Sequence, residues 1–246
     1  MPYFPLGYPD LTTSIDVIEA LAKNGADLIE VGLSFSDPLA DGPVIQQATQ
    51  VALEKGITIK KALDAVKELR NRGVEIPLIL MGYYNPMLAY GLEKFIHDAK
   101  DAGADGFIVP DLPMEESEEF MAFVGADGRP PLPLIPMLAP TSSPDRMEKI
   151  ARNAKGFIYL VSVTGITGER KSIAEGLGDL IASVREHTPA PVCVGFGIGT
   201  PEQAKEVGQM ADGVIVGTAC VRTIGTSQTP VETAKQFAAE FRSALR

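Results

Sequence analysis

Cysteine and histidine are scarce in this chain, which has two of each among its 246 residues. Both cysteines, Cys193 and Cys220, lie in apolar runs, which indicates buried free thiols. Both histidines, His97 and His187, fall among charged residues in predicted helices, where a surface position is expected. So few thiols and imidazoles provide no ligand spacing for a metal site. We therefore expect a core that forms without metal ions or disulfides.

Basic residues and long apolar runs are also in short supply. Lys and Arg number 22 against 32 Asp and Glu, a formal net charge of −10, and nucleic-acid binding needs clustered positive charge. No apolar run approaches the roughly 20 residues of a membrane helix. The opening MPYFPLGYPD lacks the basic and apolar regions of a signal peptide. The sequence therefore predicts a soluble cytoplasmic protein that binds neither nucleic acid nor membrane.

What the sequence does contain is a repeated unit. Four segments share a small-residue turn followed by a short apolar run: GADLIEVG, GADGFIVP, AKGFIYLVS and ADGVIVGT. Apolar runs of this length suit parallel strands that are buried on both faces. Eight such runs are predicted strands, namely Tyr3–Leu6, Leu28–Gly32, Leu78–Tyr83, Gly106–Val109, Leu134–Leu138, Phe157–Val161, Val192–Gly195 and Val214–Gly217.

Stretches with helical periodicity alternate with these strands. Thr12 or Thr13 is expected to cap the first helix, and Thr200, followed by proline, to open the seventh. Strict alternation of strand and helix predicts a parallel sheet. A doubly wound open sheet is the alternative, but no G-x-G-x-x-G follows the first strand. Eight units favour a closed barrel, so we predict an α/β fold in which residues 1–246 form a single (βα)₈ TIM barrel.

One charged side chain interrupts the eight apolar runs. Glu30, near the end of the second run, points into the barrel if Ile29 and Val31 face the helices. A buried carboxylate costs several kcal/mol unless it is paired or its pKa rises, and the strand runs offer no basic partner. Active sites in such barrels lie at the C-terminal ends of the strands. Glu30 is therefore predicted to be catalytic, with a structural ion pair as the alternative.

The loop after this strand is long and carries two carboxylates. It reads SFSDPLADGP, with Asp37 and Asp41 seven and eleven residues beyond Glu30. A loop from the same strand end can return a carboxylate over the barrel mouth, and two carboxylates in different environments can divide acid and base roles. Asp41 is therefore a candidate catalytic group, with helix capping before Val44 as an equal alternative. Asp37 precedes a proline and is expected to initiate a turn or cap a helix.

Glycine is concentrated in the last three loops, in TGITG (164–168), FGIG (196–199) and GTA (217–219). Glycine lets backbone amides approach an anion closely, and a helix N-terminus favours one. Barrels often bind phosphate in the loops after strands seven and eight, so we predict a phosphate site there. Tyr3, Tyr83, Tyr159 and Phe196 lie in or just after strands. They are either core residues or the walls of a pocket for an aromatic body with a phosphorylated tail.

Together these motifs resemble the tryptophan synthase alpha chain family. The loop FSDPLADGP after the strand of Glu30 is similar to that family's signature, and YNP (84–86), PDLP (110–113), LAPT (138–141) and GFGI (195–198) support the match. The resemblance covers nearly the whole chain. It implies a (βα)₈ barrel that cleaves indole-3-glycerol phosphate to indole and glyceraldehyde 3-phosphate in tryptophan biosynthesis.

The resemblance also implies roles for individual residues and a partner. Glu30 and Asp41 match the two catalytic carboxylates of the family. A beta chain in an α₂β₂ assembly is implied as the partner, and that chain, not this one, would carry pyridoxal phosphate. Ser34 departs from the proline that is common before the signature loop. The remaining predicted contacts are Gly168, Gly197, Gly217 and Thr218 to phosphate, and Tyr83, Tyr159 and Phe196 to the substrate.

Two alternatives stay open from the residues alone. Another phosphate-binding barrel, such as an isomerase or cyclase of aromatic or sugar phosphates, would share the glycine loops but not the ADGP loop. A non-catalytic subunit that only activates a partner would have no reason to keep a lone carboxylate inside an apolar barrel.

Overall fold

The computed structural model describes residues 1–125, 128–161, 174–195 and 197–246. The strands form two four-stranded sheets in the orders β1-β2-β3-β4 and β5-β6-β7-β8, and every neighbouring pair is parallel. Strands that are consecutive in sequence are therefore neighbours in space. The strands are β1 (Tyr3–Pro5), β2 (Ile29–Gly32), β3 (Leu78–Met81), β4 (Gly106–Ile108), β5 (Met137–Leu138), β6 (Ile158–Val161), β7 (Val192–Gly195) and β8 (Gly213–Val214).

Two isolated parallel bridges join the sheets into a ring. Pro2 bridges to Val216 beyond β8, and Phe107 of β4 bridges to Leu134 ahead of β5. The Phe107 amide donates to the Pro133 carbonyl at 2.8 Å, and the Tyr3 amide donates to the Val216 carbonyl at 3.1 Å. A ring of parallel strands with helices between them is the predicted α/β barrel, which is confirmed.

Helices follow the strands and cover the ring. Their apolar residues pack against the outward-facing strand residues in one large cluster, as expected for a stripe at helical spacing. They are α1 (Leu11–Lys23), α2 (Pro43–Glu54), α3 (Ile59–Asn71), α4 (Tyr84–Tyr90), α5 (Leu92–Ala102), α6 (Glu118–Val124), α7 (Pro144–Asn153), α8 (Ala174–Arg185), α9 (Pro201–Gly208), α10 (Thr218–Gly225) and α11 (Pro230–Ala244), with a 3₁₀ turn at Met114–Glu116.

All the predicted strands except the seventh are shorter in the structure, and the fifth and eighth are reduced to two residues each. The fifth runs over Met137–Leu138 rather than Leu134–Leu138, because Leu134 makes only a bridge and Pro136 has no N–H to donate to a ladder. The eighth covers Gly213–Val214 rather than Val214–Gly217, because beyond Val214 the regular pairing gives way to the isolated bridge of Val216, and Gly217 is already the N-cap of α10. The second difference matters for function, since it turns a predicted strand end into a helix N-terminus.

The helix caps partly follow the sequence. Thr200 caps α9 in a reciprocal capping box with Gln203, as predicted from its position before a proline. The prediction of Thr12 or Thr13 as the cap of α1 is wrong, because the N-cap is Asp10. Its carboxylate accepts from both the amide and the hydroxyl of Thr13, at 2.9 and 2.7 Å. An ionised acceptor with two oxygens therefore fills the position expected for threonine.

The inside of the barrel has a small core of its own. Side chains from alternate strand positions, among them Ile79, Ile108, Tyr159, Cys193 and Ile215, form a cluster separate from the one under the helices. Cys193 and Cys220 are buried free thiols, as predicted. Within the described ranges, no helix is long and apolar enough to cross a membrane. Those ranges also contain no cluster of three or more His, Cys, Asp or Glu able to hold a metal ion.

Candidate active site

A cavity of about 290 Å³ opens at the C-terminal ends of the strands. Its wall combines strand residues, the end of the loop after β2, the loop after β7 and one face of α10. Most of the predicted site residues meet in this one cavity, although they are spread over 189 positions of sequence, from 30 to 218. Those that line it are Glu30, Asp41, Tyr159, Gly197, Gly217 and Thr218. Gly168 and Phe196 lie outside the described residues.

Glu30 is buried in the wall of the cavity with 1% of its surface exposed. It pairs in register with Tyr3 on one side and Ile79 on the other. Its Oε1 atom has no hydrogen-bond partner among the described residues, and none of them forms an ion pair with it, so a buried ion pair does not explain this carboxyl. Burial raises the pKa of Glu30 to about 8. At neutral pH the group therefore holds a proton that it can give up.

Asp41 is held in place by Tyr83. The Tyr83 hydroxyl donates to Asp41 Oδ2 at 3.0 Å and accepts from the Ala40 amide at 3.0 Å. Gln46 donates to the Asp41 backbone carbonyl at 2.8 Å. Burial raises the pKa of Asp41, while the hydrogen bond from Tyr83 opposes that rise. The second carboxylate oxygen, Oδ1, has no partner among the described residues and remains available to a ligand.

Asp41 does not cap helix α2, so the capping alternative is wrong. Helix α2 begins at Pro43, its N-cap is Gly42, and no side chain donates or accepts a cap hydrogen bond there. Proline at the first position removes one of the amides that a cap would satisfy. The Asp41 side chain is therefore free of a helix-capping duty.

Tyr83 has a different position from the one that the sequence suggests. It is not among the residues that line the cavity, and its ring packs against Phe35 of the loop with centroids 5.6 Å apart. Its contacts are with Phe35, Ala40 and Asp41 of the loop after β2, and its hydroxyl fixes the position of the Asp41 carboxylate. Tyr83 and Asp41 are 42 positions apart in sequence, so local motifs give no sign of this pairing.

The glycine-rich side of the cavity is built around the start of α10. Gly197 has φ +80°, a left-handed conformation that favours glycine. Gly217 is the N-cap of α10, whose first amides have no intrahelical partners. A Cβ at Gly217 would lie 3.7 Å from Ile45 and Tyr3, which is ordinary contact. The fold itself therefore tolerates a side chain at Gly217.

Comparisons with known proteins bear on this cavity. A family model described as tryptophan synthase alpha chain matches residues 1–245. A tryptophan synthase alpha chain from Geobacter sulfurreducens is 46% identical over 99% of this chain and 90% of its own length. One from Chloroflexus aurantiacus is 50% identical over 90% of this chain and 82% of its own length.

Solved structures agree with the sequence relatives. A tryptophan synthase structure from M. tuberculosis superposes with a TM-score of 0.88 at 33% identity and covers 100% of this chain and 91% of that one. Tryptophan synthase subunit alpha from Legionella pneumophila gives a TM-score of 0.86 at 37% identity and covers 99% and 91%. The chain belongs to the tryptophan synthase alpha chain family. The expected role of an alpha subunit in tryptophan biosynthesis, that of a carbon–carbon lyase acting on indole-3-glycerol phosphate, is thereby confirmed.

Several residues that line this alpha-chain cavity were not predicted from the sequence. Met81, Ile45 and Arg222 line the cavity without having been predicted, beside Tyr3, which the sequence offered as either a core residue or a wall of the pocket. Tyr3 and Tyr159 occupy equivalent places, because a Cβ on Gly32 would collide with the Tyr3 hydroxyl and one on Gly195 with that of Tyr159. A tyrosine on one strand facing a glycine at the end of the next is the signal that could have found this pair.

Tyr83→Phe should lower kcat for indole release about tenfold, since it removes a hydrogen bond to a charged group, worth roughly 1.5 kcal/mol, and leaves Asp41 less well oriented. The ring contact with Phe35 is kept, so the melting temperature should change little. Tyr84→Phe is the matched control, because the Tyr84 hydroxyl contacts Glu119 at 3.2 Å on an exposed surface. Equal losses in both variants would contradict a special role for Tyr83.

Glu30→Gln should alter the pH dependence of stability. The pKa of Glu30 is about 8 in the fold against an ordinary value of 4.5, so between these pH values the folded state binds a proton that the unfolded state lacks. Its stabilising contribution is complete below pH 4.5 and is lost as pH rises through 8. The variant lacks this loss, so its free energy of unfolding should exceed that of the wild type by the largest margin at pH 9. Urea titrations at pH 5, 7 and 9 measure the difference, and exposed Glu240→Gln is the control. A margin that does not grow with pH would contradict the buried neutral carboxyl.

Proposed function

We propose that the cavity binds indole-3-glycerol phosphate and cleaves it by a retro-aldol reaction to indole and glyceraldehyde 3-phosphate. The observation that carries the proposal is the presence, in one cavity, of a buried proton-holding carboxyl and the exposed N-terminal amides of α10. The first suits proton transfer to carbon, and the second suits a phosphorylated tail.

Glu30 is the proposed proton shuttle. Its carboxyl group gives a proton to the indole carbon that bears the glycerol phosphate, which makes the ring an electron sink. The resulting carboxylate takes the proton of the adjacent side-chain hydroxyl as the carbon–carbon bond breaks, and the bonding electrons pass into the ring. Indole leaves, the former alcohol carbon becomes the aldehyde of glyceraldehyde 3-phosphate, and Glu30 is protonated again. A pKa near 8 suits both halves of this cycle at neutral pH.

Asp41 is proposed to stabilise the charge that develops on the ring. Protonation of the indole carbon leaves positive charge at the ring nitrogen, and a carboxylate oxygen that accepts the N–H hydrogen bond lowers the energy of that state. The unpartnered Oδ1 is available for this contact, while Tyr83 holds Oδ2 at 3.0 Å. Two carboxyl groups in one cavity thus receive different tasks from different surroundings.

The remaining predicted contacts orient the substrate. We assign the phosphate to the backbone at Gly197 and Gly217 and to the Thr218 hydroxyl, together with Gly168. Tyr159 and Phe196 are proposed walls of the indole pocket. Binding energy from the phosphate, far from the reacting bond, holds the indole carbon against Glu30. The reaction needs no cofactor in this chain.

A tryptophan synthase beta chain is the proposed partner, in an α₂β₂ assembly in which that chain carries pyridoxal phosphate. Leu39, Leu88 and Met121 are exposed large apolar side chains, and Leu39 is 91% exposed. They lie in the segments after β2, β3 and β4, which are neighbouring strands. Large apolar side chains left exposed in adjacent segments favour a protein contact. The two free thiols fit a reducing cytoplasm.

Glu30→Gln tests the reaction itself. The variant should release indole at least about a hundredfold more slowly, since general acid–base groups contribute roughly 10²–10⁴-fold. Calorimetry should find substrate affinity within a few-fold of the wild type, because the shape of the side chain is kept. Glu240→Gln, at an exposed position of α11, should be fully active. Retention of more than about a tenth of the activity would refute the role of Glu30.

Titration with a beta chain tests the proposed contact of that partner with Leu39. A partner that binds the loop carrying Asp41 should raise kcat for cleavage, because it favours the arrangement in which that loop is ordered. Leu39→Asp should raise the beta-chain concentration that gives half-maximal stimulation at least tenfold. It should leave the rate of the isolated chain unchanged. Leu245→Asp, near the C-terminus and also exposed, is the control and should respond like the wild type. Absence of stimulation at saturating partner would refute the proposed assembly.

A further inference from the structure

Arg222 is the one cationic side chain among the described residues that line the cavity. It lies in α10, four residues after Thr218. The Arg222 guanidinium has no hydrogen bond or ion pair to the part of the chain that the structure describes. Most other arginines pair with a carboxylate, namely Arg70 with Asp105, Arg72 with Asp16, Arg146 with Glu115, Arg152 with Glu148, Arg185 with Asp212 and Arg242 with Asp27.

The position of Arg222 on the helix directs it toward the start of α10. Residues four apart share one face of a helix, and Thr218 and Arg222 both line the cavity. Long side chains in helices lean back toward the N-terminus. The rise over four residues is about 6 Å, a distance that an extended arginine side chain spans. Its guanidinium can therefore reach the amides and the hydroxyl at the beginning of the helix.

The charge balance of the cavity favours such a group. The protein has a formal net charge of −10, and Asp41 adds a carboxylate to the cavity wall, whereas Glu30 keeps its proton at neutral pH. A phosphate ester carries about −1.5 to −2 at neutral pH, whereas a helix N-terminus supplies only about half a positive charge. A full positive charge beside that terminus offsets the repulsion between an acidic protein and a dianionic tail.

We propose that Arg222 is a phosphate-binding residue of this cavity. Its guanidinium donates charge-assisted hydrogen bonds to the phosphate that the α10 amides and the Thr218 hydroxyl hold from the other direction. This inference rests on the proposed function and deepens it, because it makes the subsite select a dianionic tail over a neutral or singly charged one. Arg222 acts on binding and not on the cleaved bond, so it should affect KM and not kcat.

Arg222→Gln is compared with Lys205→Gln, which removes the same charge from exposed Lys205 of α9, outside the cavity lining. The readouts are KM and kcat for indole release and the inhibition constants of inorganic phosphate and glycerol 3-phosphate. Arg222→Gln should raise KM and both inhibition constants about tenfold and leave kcat within twofold. A larger increase is not expected, because the side chain is exposed and solvent weakens its hydrogen bonds to phosphate. Lys205→Gln should match the wild type. Added salt should raise KM less in Arg222→Gln than in the wild type.

The outcomes separate this inference from the function on which it rests. Gly217→Asp, which places a carboxylate at the start of α10, marks the phosphate site independently. If phosphate inhibits the wild type and Gly217→Asp abolishes that inhibition, but Arg222→Gln and Lys205→Gln behave alike, the site is correct and the role of Arg222 is overturned. A fall in kcat at constant KM also overturns it. If phosphate does not inhibit the wild type and Gly217→Asp binds substrate normally, the phosphate subsite of the proposed function fails.

Discussion

The chemistry of this barrel depends on one costly feature, a carboxyl group that is buried in a parallel strand and has no charged partner among the described residues. Glu30 is held in register between Tyr3 and Ile79, so it cannot move to water without breaking the ladders on both sides. The protonated carboxyl group avoids the cost of desolvating a charge, and for this reason the pKa of Glu30 rises to about 8. The same rigidity that makes the site unfavourable for a carboxylate makes Glu30 a usable acid at neutral pH.

Closure of the ring decides which loops cooperate. Glu30 and Gly217 are far apart in sequence, but β1 alone separates β2 from the last strand, because Pro2 bridges to Val216. Tyr3 of β1 therefore lies between the carboxyl group and the start of α10, and a Cβ on Gly217 would lie 3.7 Å from it. In an open sheet the first and last strands would be edges, and these two halves of the site would not meet.

The sequence predicts the parts of this protein that follow from local pattern, and it misses those that follow from long-range contact. Glu30 stands out because it is the only charge in eight apolar runs, and Gly217 because glycine precedes a helical stretch. The strand boundaries at Leu134 and Gly217 were mispredicted, because near these boundaries the regular ladders give way to the isolated bridges of Leu134 and Val216. The bond from Tyr83 to Asp41 had no local signal, because it depends on the ring bringing separate strand ends together. Arg222 is related locally to Thr218, four residues earlier, but that both residues line the cavity follows only from the structure.

The loop after β2 combines a fixed end with an exposed one, and this division links chemistry to partnership. Tyr83 and Gln46 hold Ala40 and Asp41 through three hydrogen bonds, whereas the neighbouring Leu39 is 91% exposed. A contact made at Leu39 is therefore one residue from the tethered segment and two from the Asp41 carboxylate. Because the tether is made of single hydrogen bonds, each worth about 0.5–1.5 kcal/mol, a partner that covers Leu39 gains enough from apolar burial to shift the orientation of Asp41. The loop can thus respond to a docked chain without any change in the strands that hold Glu30.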